Sequence, residues 1–411
     1  MSPLLLFALI IHSALAVRDP GIGKTVPLAF KKMTVFATVD ILSKTTVPDA
    51  ALRRVADAML TSRQMFSITW APKSEMPPSR DMRDYLSRAL YWWPNPTCPP
   101  CPWIRIDGKR QPDTFAKLSV TSICIYSTVL SMAAVKFPEK RGEYIQRLRA
   151  ILFTFFANET TKIHPNGRFS QVIGNSTSGN VYGIVDFRRF AMVVNSVLLL
   201  REIGGTNASI DISMTRWFSS LLAWLETSDL GVKAKATVNN HRTWYTFTCI
   251  TLALGVSNIK KASSIYTEFV QSGVIQRQIK LDGSQPLEDN RANATTYRIF
   301  NLNGIFSLID LGLKYNLSSE RIEEIGNKRP LAAARSIAKN PIDNAQVCSN
   351  FYEAYYVMRM AIQVYKLNVT GDPQIFTFAR KARQCGMKTV NNANWIGIED
   401  LAFLRPFQFL V

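Results

Sequence analysis

Histidine is scarce in this chain, with three in 411 residues: His12, His164 and His241. None stands in an HExxH or HxH spacing, and no two cysteine pairs stand at zinc-finger spacing. The sequence therefore offers no metal centre, and no cofactor is expected. A GxSxG elbow, a phosphate-cradling glycine loop and a dinucleotide fingerprint are missing as well. Acidic residues are few, 30 against 49 basic ones, which leaves a net charge of +19. Such an excess implies a polyanionic partner: nucleic acid, an acidic membrane surface or an acidic polysaccharide. The charge is spread thinly, without a basic arm or an RNA-binding signature, so no nucleic-acid partner is expected. Glycine and proline number 20 each without a period, which excludes a collagen-like or low-complexity chain. With 47% hydrophobic and 19% charged residues, wholesale disorder is excluded too.

Long apolar runs are also lacking. Leu4 to Ile11 is too short to span a bilayer and is followed by Ala14-Leu15-Ala16, small residues that suit a signal peptidase. Residues 1–16 read as a signal peptide, and the mature protein as secreted (extracellular, or periplasmic in a bacterium). No later segment reads as spanning, so no stable membrane insertion is expected. Val120 to Val135 is broken by Thr121, Ser122, Ser127 and Ser131 and reads as a buried helix.

In an oxidising compartment the six cysteines allow up to three disulfides. Cys98 and Cys101 lie in a proline-rich loop from Pro94 to Pro102, which favours a local staple over redox chemistry. Cys348 with Cys385 is the second pairing expected. Six Asn-x-Ser/Thr sequons occur, at Asn158, Asn175, Asn207, Asn293, Asn316 and Asn368.

The dominant hydrophobic period is helical. Leu52, Val55, Ala56, Met59 and Leu60 fall on one helix face. Similar stripes recur from Phe115 to Ala382, separated by Pro and Gly punctuation, while sustained alternating strands are nearly absent. About ten helices without a fixed repeat length suggest helix pairs packed in a ring or solenoid. The expected organisation is a leader with first helices over 17–78 and one all-α domain over 79–411, acting as a monomer.

Three segments could carry chemistry. Val238 to Tyr245 includes Asn239-Asn240-His241-Arg242 just before an apolar helix. Tandem Asn residues serve as caps. A His beside Asn at a helix entrance can equally hold a carboxylate, and spacing alone does not decide between them. Asp282 to Arg291 leads on to Tyr297, which could be a surface Arg and a core Tyr. Arg83 to Pro96 is dense in aromatics interleaved with Arg, a composition that suits either a core or acidic sugar rings.

Taken together, these segments resemble the alginate lyase family of mannuronate-type polysaccharide lyases. The resemblance rests on Asp84-Tyr85, Tyr91-Trp92-Trp93-Pro94, Ile104-Arg105-Ile106-Asp107-Gly108, Pro165-Asn166, Gln171 and Gly183-Ile184-Val185-Asp186. It continues through Trp217-Phe218, Trp224-Leu225, Asn239-Asn240-His241 with Thr243-Trp244-Tyr245, and Asp282 to Glu288 with Arg291, Tyr297 and Asn301-Leu302. It implies an incomplete (α/α) toroid with a cleft across its face and β-elimination of a uronic acid polymer, most of all mannuronate-rich alginate. By motif, Asn240 and His241 would bind and neutralise the substrate carboxylate, Arg291 would be the cleft arginine, and Tyr297 the base and acid. Tyr85, Arg88, Trp93, Arg105, Gln171, Asn239, Arg242 and Tyr245 would line the substrate path.

That chemistry needs such residues. The C5 proton is hardly acidic while the adjacent carboxylate is charged, so donors and cations around it must stabilise an enolate-like intermediate. A tyrosine base needs nearby cations, and Arg291 and His241 are the available ones, the sequence leaving open whether His241 is charged. Two departures stand out: Arg242 where the family motif has a small residue, and Arg83 where a histidine is common. A lyase for glucuronan or a glycosaminoglycan is a rival reading. A toroidal glycoside hydrolase using Asp186, Glu288 or Asp289 is another, and a non-catalytic polyanion binder is a third.

Overall fold

A helix that is apolar all round has to be enclosed, and the segment around Val120 to Val135 shows how. In the computed structural model, which describes residues 38, 39, 42, 49–62, 64–98, 101–339 and 351–389, it lies within α2 (Phe115–Lys136), buried along almost its whole length. Contrary to the sequence reading, α2 is long and apolar enough to cross a membrane by length and composition. Its apolarity is instead used inside the protein, against α1 (Asp49–Thr61), α3 (Arg141–Leu152) and α4 (Phe190–Glu202).

The same enclosure recurs. Helices α5 (Ala208–Thr227), α7 (Asn240–Gly255), α8 (Ile259–Gln271), α11 (Ala294–Tyr315), α12 (Ile325–Lys339), α13 (Phe351–Tyr365) and α14 (Pro373–Thr389) complete the main set. Short α6 (Asp229–Lys235), α9 (Val274–Gln278) and α10 (Pro286–Asp289) link them. An inner row runs α2, α4, α7, α11, α13, each packed on the next. An outer row backs it: α1 and α3 on α2, α5 and α8 on α7, α12 and α14 on α13. This is an all-α, incomplete (α/α) toroid.

Inner helices carry buried Ser and Thr whose hydroxyls fold back on their own turns. Thr128 Oγ1 donates to the Cys124 carbonyl, Thr248 to Trp244 and Ser307 to Asn303. Polar groups are thereby satisfied without needing solvent. Gly304 lets α11 approach α7, because a Cβ there would meet Thr243 Cγ2 at 2.9 Å and Trp244 Cε2 at 3.1 Å.

Strands are few. β1 (Leu86–Arg88) pairs in parallel with β4 (Phe169–Val172), and β2 (Trp92–Trp93) forms a hairpin with β3 (Ile104–Arg105). Leu52, Val55, Ala56 and Met59 of α1 join the same core as the toroid. Cys98 and Cys101 are disulfide-bonded, stapling the β2–β3 loop. Cys385 is also disulfide-bonded, while Cys348, its expected partner, lies outside the described residues, as does the signal segment 1–16. Cys124 and Cys249 are free and buried.

Candidate active site

The inner helices begin on one side. Lys117 of α2, Met192 of α4, His241 of α7, Tyr297 of α11 and Glu353 of α13, all in or next to a first turn, line a single cavity of about 560 Å³. The N-termini of α2, α7 and α11 thus open on one space, and their partial positive charges favour an anion there. Side chains reinforce this: Arg105, Arg110, Lys117, Arg188, Arg189 and Arg291 line the cavity, against Asp186 and Glu353.

At the mouth of α7, Asn239 caps the helix, its Oδ1 accepting from the His241 N–H at 3.2 Å. Asn240 is 1% exposed, and both its backbone N–H and its Nδ2 donate to Glu288 Oε1, at 3.2 and 2.8 Å. Glu288 Oε2 is buried without a partner, and burial pushes its carboxyl up to about 7. His241 rests its ring 4.8 Å from that of Tyr182, and its Nδ1 has no partner. Burial, with Arg291 and Arg188 nearby, holds its pKa down to about 4. It is a neutral imidazole near pH 7, which leaves Arg291 as the charged one of the two available cations.

Across the cavity, the β2–β3 hairpin positions the arginine. Asp107 accepts from Arg291 Nε at 3.0 Å and Nη2 at 2.7 Å, and from the Ala292 N–H at 2.9 Å. The Arg291 hydrogen bonds hold the Asp107 carboxyl down at about 2. Arg291 precedes α11 rather than belonging to it, so it can fold back until its guanidinium sits 3.6 Å from the centre of the Tyr297 ring. The six-residue spacing, unfavourable on a helix, is bridged by this loop. Tyr297 Oη meets Tyr91 Oη at 2.5 Å. Burial and Tyr91 raise the Tyr297 pKa well above the ordinary phenol value, and the opposing pull of Arg291 does not reverse it. In the unliganded protein Tyr297 is a phenol.

A third group forms the wall beside α2. Asp186 accepts from Ser87 Oγ at 2.8 Å, Tyr85 Oη at 3.1 Å and Gln171 Nε2 at 3.4 Å, with Lys117 Nζ at 3.9 Å. Burial works against its charge, but Lys117 and the hydroxyls leave its pKa below the usual carboxylate range. Gln171 sits at φ 52°, a left-handed conformation that costs a non-glycine residue free energy. Its N–H donates to Ser87 Oγ at 2.8 Å, which ties the strained turn to this network.

Of the residues expected at the site, Asn240, His241, Arg291, Tyr297, Tyr85, Arg105, Gln171 and Asn239 line the one cavity. Four others do not. Arg242 turns to the outer row, donating to the Lys235 carbonyl at 2.8 Å and to Glu268 Oε1 at 3.1 Å. Tyr245 is buried and donates to the Leu225 carbonyl at 3.0 Å. Both follow from helix phase, since His241 and Trp244 at i and i+3 share the cavity face. Arg88 lies on the opposite strand face from Tyr85 and Ser87 and donates to the Gly174 carbonyl at 3.1 Å. Trp93 donates to the Lys109 carbonyl, while its neighbour Trp92 lines the cavity. Arg83, at the other departure, chelates Asp81 through Nε and Nη2 at 3.0 and 2.8 Å, away from the cavity.

Tyr91, Tyr182, Arg188 and Arg189 were not singled out as site residues. Tyr91 lay inside a quoted motif; Tyr182, on the turn before Gly183, carried no signal. Among the carboxylates a hydrolase would need, Asp289 is paired with Arg298 at 2.6 Å, Glu288 with Asn240, and Asp186 with its hydroxyl network.

The arrangement joins a neutral imidazole, a neutral phenol, a fixed guanidinium and helix N-termini around a basic cavity. It can bind an acidic group, stabilise negative charge beside it and move protons at two atoms. A search of curated proteins finds no match. The fold is similar to the crystal structure of an alginate lyase from Bacteroides ovatus, with a TM-score of 0.68 and 24% identity over 87% of this chain and 93% of that one. The family model for alginate lyase matches residues 70–317, well over half of the sequence and every cavity residue named above except Glu353. The chain belongs to the alginate lyase family and is a polysaccharide lyase acting on an acidic polysaccharide.

Proposed function

We propose that the protein cleaves a uronic acid polymer, mannuronate-rich alginate first among the candidates, by β-elimination. The observation that carries this reading is the Tyr297–Tyr91 hydroxyl pair under the Arg291 guanidinium, in the same cavity as His241 and Asn240. The substrate carboxylate takes hydrogen bonds from Asn240 Nδ2 and His241 and the field of Arg291 and the α7 N-terminus. Together these lower the cost of the enolate-like intermediate. Tyr297 gives up its phenolic proton to solvent as the substrate binds, removes the C5 proton as the phenolate, and as the phenol so formed passes that proton to the leaving glycosidic oxygen, with Tyr91 as its hydrogen-bond partner. The substrate's own carboxylate does not help form a phenolate, so Arg291 over the ring is the group that must favour it.

A second assignment of the base is favoured by the protonation states themselves. His241 is a neutral imidazole on the cavity wall, and Tyr297 is a phenol. In that version His241 takes the C5 proton and Tyr297 only gives one. His241→Gln separates the two, because glutamine keeps a donor for the carboxylate but accepts no proton. Retention of roughly a tenth or more of turnover supports Tyr297 as the base; a fall of about 10²–10⁴-fold assigns the proton to His241.

The reading also takes residues 1–16 as a cleaved signal peptide and the protein as a secreted monomer. Asn175, Asn207, Asn316 and Asn368 are exposed sequons available to glycosylation, whereas Asn293 is half-buried beside Gly108 and is expected to stay bare. The polymer is tested by following ultraviolet absorbance of the unsaturated uronate product on polymannuronate, polyguluronate, glucuronan and a glycosaminoglycan. A rise on polymannuronate supports the proposal, a rise on another polymer alone reassigns the substrate, and release of saturated reducing ends alone contradicts elimination.

A further inference from the structure

The cationic side of the cavity exceeds what one carboxylate requires. Arg291 is already bound by Asp107 on two nitrogens, and Lys117 by Asp113 at 2.9 Å. Arg188 and Arg189 are different. They are consecutive, half-buried, and sit at the turn leading into α4. Among the described residues each makes one hydrogen bond, to a neutral acceptor: Arg188 Nη1 to the Val185 carbonyl at 2.8 Å, and Arg189 Nη1 to Thr121 Oγ1 at 3.0 Å. Neither has a carboxylate in hydrogen-bond contact. Both residues line the cavity.

The position of Arg188 is fixed by aromatic faces. Its guanidinium lies 5.6 Å from the centre of the Trp244 ring and 5.1 Å from that of Phe300. Trp244 is one turn beyond His241 on α7, and Phe300 one turn beyond Tyr297 on α11. Arg188 therefore sits on the cavity floor beneath the two proton-transfer residues, while Arg189 reaches across to Thr121 of α2. Two adjacent guanidinium groups repel each other and lose hydration there, and burial with Arg189 brings the Arg188 pKa down to about 10. An arrangement that costs free energy in the empty protein is offset when an anion spans both forks.

We infer that Arg188 and Arg189 form a second anionic subsite, which takes the carboxylate of the uronate residue next to the one undergoing elimination. This rests on the reading of the cavity as a polyuronate site and adds a specificity requirement to it. Two neighbouring acid groups must be present, so an acidic sugar flanked by neutral ones is a poor ligand. It also gives the turn before α4 a role separate from that of His241 and Tyr297, where the proton moves.

The test uses binding, so that it does not depend on turnover. Affinity for mannuronate oligosaccharides is measured by calorimetry for the wild-type chain, for Arg189→Gln and for Arg188→Gln/Arg189→Gln, with thermal unfolding as the check on folding. Arg189→Lys serves as the conservative rescue. The same proteins are titrated with oligosaccharides whose carboxyls are partly methyl-esterified. The inference expects the double variant to lose about tenfold or more on the fully acidic ligand, with the difference shrinking on the esterified one and Arg189→Lys recovering part of it. It is overturned if wild type and variants bind the acidic ligand equally, or if the loss is the same on both ligands. Absence of unsaturated product from wild type would sink the lyase reading of this polymer while leaving the binding comparison intact.

Discussion

His164 and His241 are the two histidines among the described residues, and they are used in opposite ways. His164 Nδ1 lies 3.1 Å from Asp84 Oδ1, an oxygen also reached by Asn166 Nδ2 at 3.1 Å; Ser79 Oγ donates to Oδ2 at 2.7 Å. Its surroundings are acidic and every partner is accounted for. His241 lies near arginines, packs at a tilt against Tyr182 and has a buried Nδ1 without a partner. Structural polar groups are satisfied by the fold, whereas a buried ring nitrogen left without a partner marks a group that the fold does not use for its own packing. The unsatisfied histidine is the one at the helix mouth, in the basic cavity.

The contrast can be broken at its second layer. Among the described residues Asp107 makes its polar contacts with Arg291, Arg105 and the Ala292 N–H, so it acts by positioning. Asp107→Asn should free the Arg291 guanidinium from the Tyr297 ring and lower kcat by about 10²-fold, with KM changing much less. Equal losses in both, or none, would show that Arg291 does not need this anchor.

A smaller effect is expected on the other side of the comparison. His164→Ala removes one of three partners of a buried carboxylate and should cost about 1–3 kcal/mol of stability, read from denaturant unfolding. Activity per folded molecule should stay at the wild-type level. A selective loss of turnover would move His164 into the site.

The smallest effect is one of pH. His241 has its folded pKa depressed to about 4, against about 6.5 unfolded. As pH falls from about 6.5 toward 4 the unfolded chain takes up a proton that the folded one refuses, so this group's contribution to stability is lost in that window. Glu288, raised to about 7, has the opposite sign: it favours the folded state below its unfolded pKa, and that gain is lost as pH rises through 7. The two partly cancel in wild type. His241→Gln should therefore make stability fall less between pH 6.5 and 4 than in the parent, and parallel curves would show that His241 is not held neutral.

Much of this was legible in the sequence because several of its signals are local. Helical stripes, the Asn-Asn-His cap and the Arg291–Tyr297 stretch each come from short runs of chain, and all four residues given catalytic roles share the cavity. What failed was facing. Helix α7 is buried on all sides, so no polar stripe marks which face meets the cavity, and Arg242 and Tyr245 were placed there by proximity to His241. Strand alternation likewise separates Arg88 from Tyr85 and Trp93 from Trp92. Arg188 and Tyr182 meet His241 only through the closing of the ring, a contact between residues more than 50 positions apart that no local pattern encodes.

Tyr297→Phe gives the most direct test of the central claim, that a phenol held by Tyr91 beneath Arg291 carries the proton in an elimination. Unsaturated product from polymannuronate would be followed by ultraviolet absorbance, with polymer affinity measured by calorimetry on the same preparation. The account predicts that turnover falls by about 10²–10⁴-fold while affinity stays within a few-fold of the parent. Turnover at the parent rate would contradict it and remove Tyr297 from the reaction.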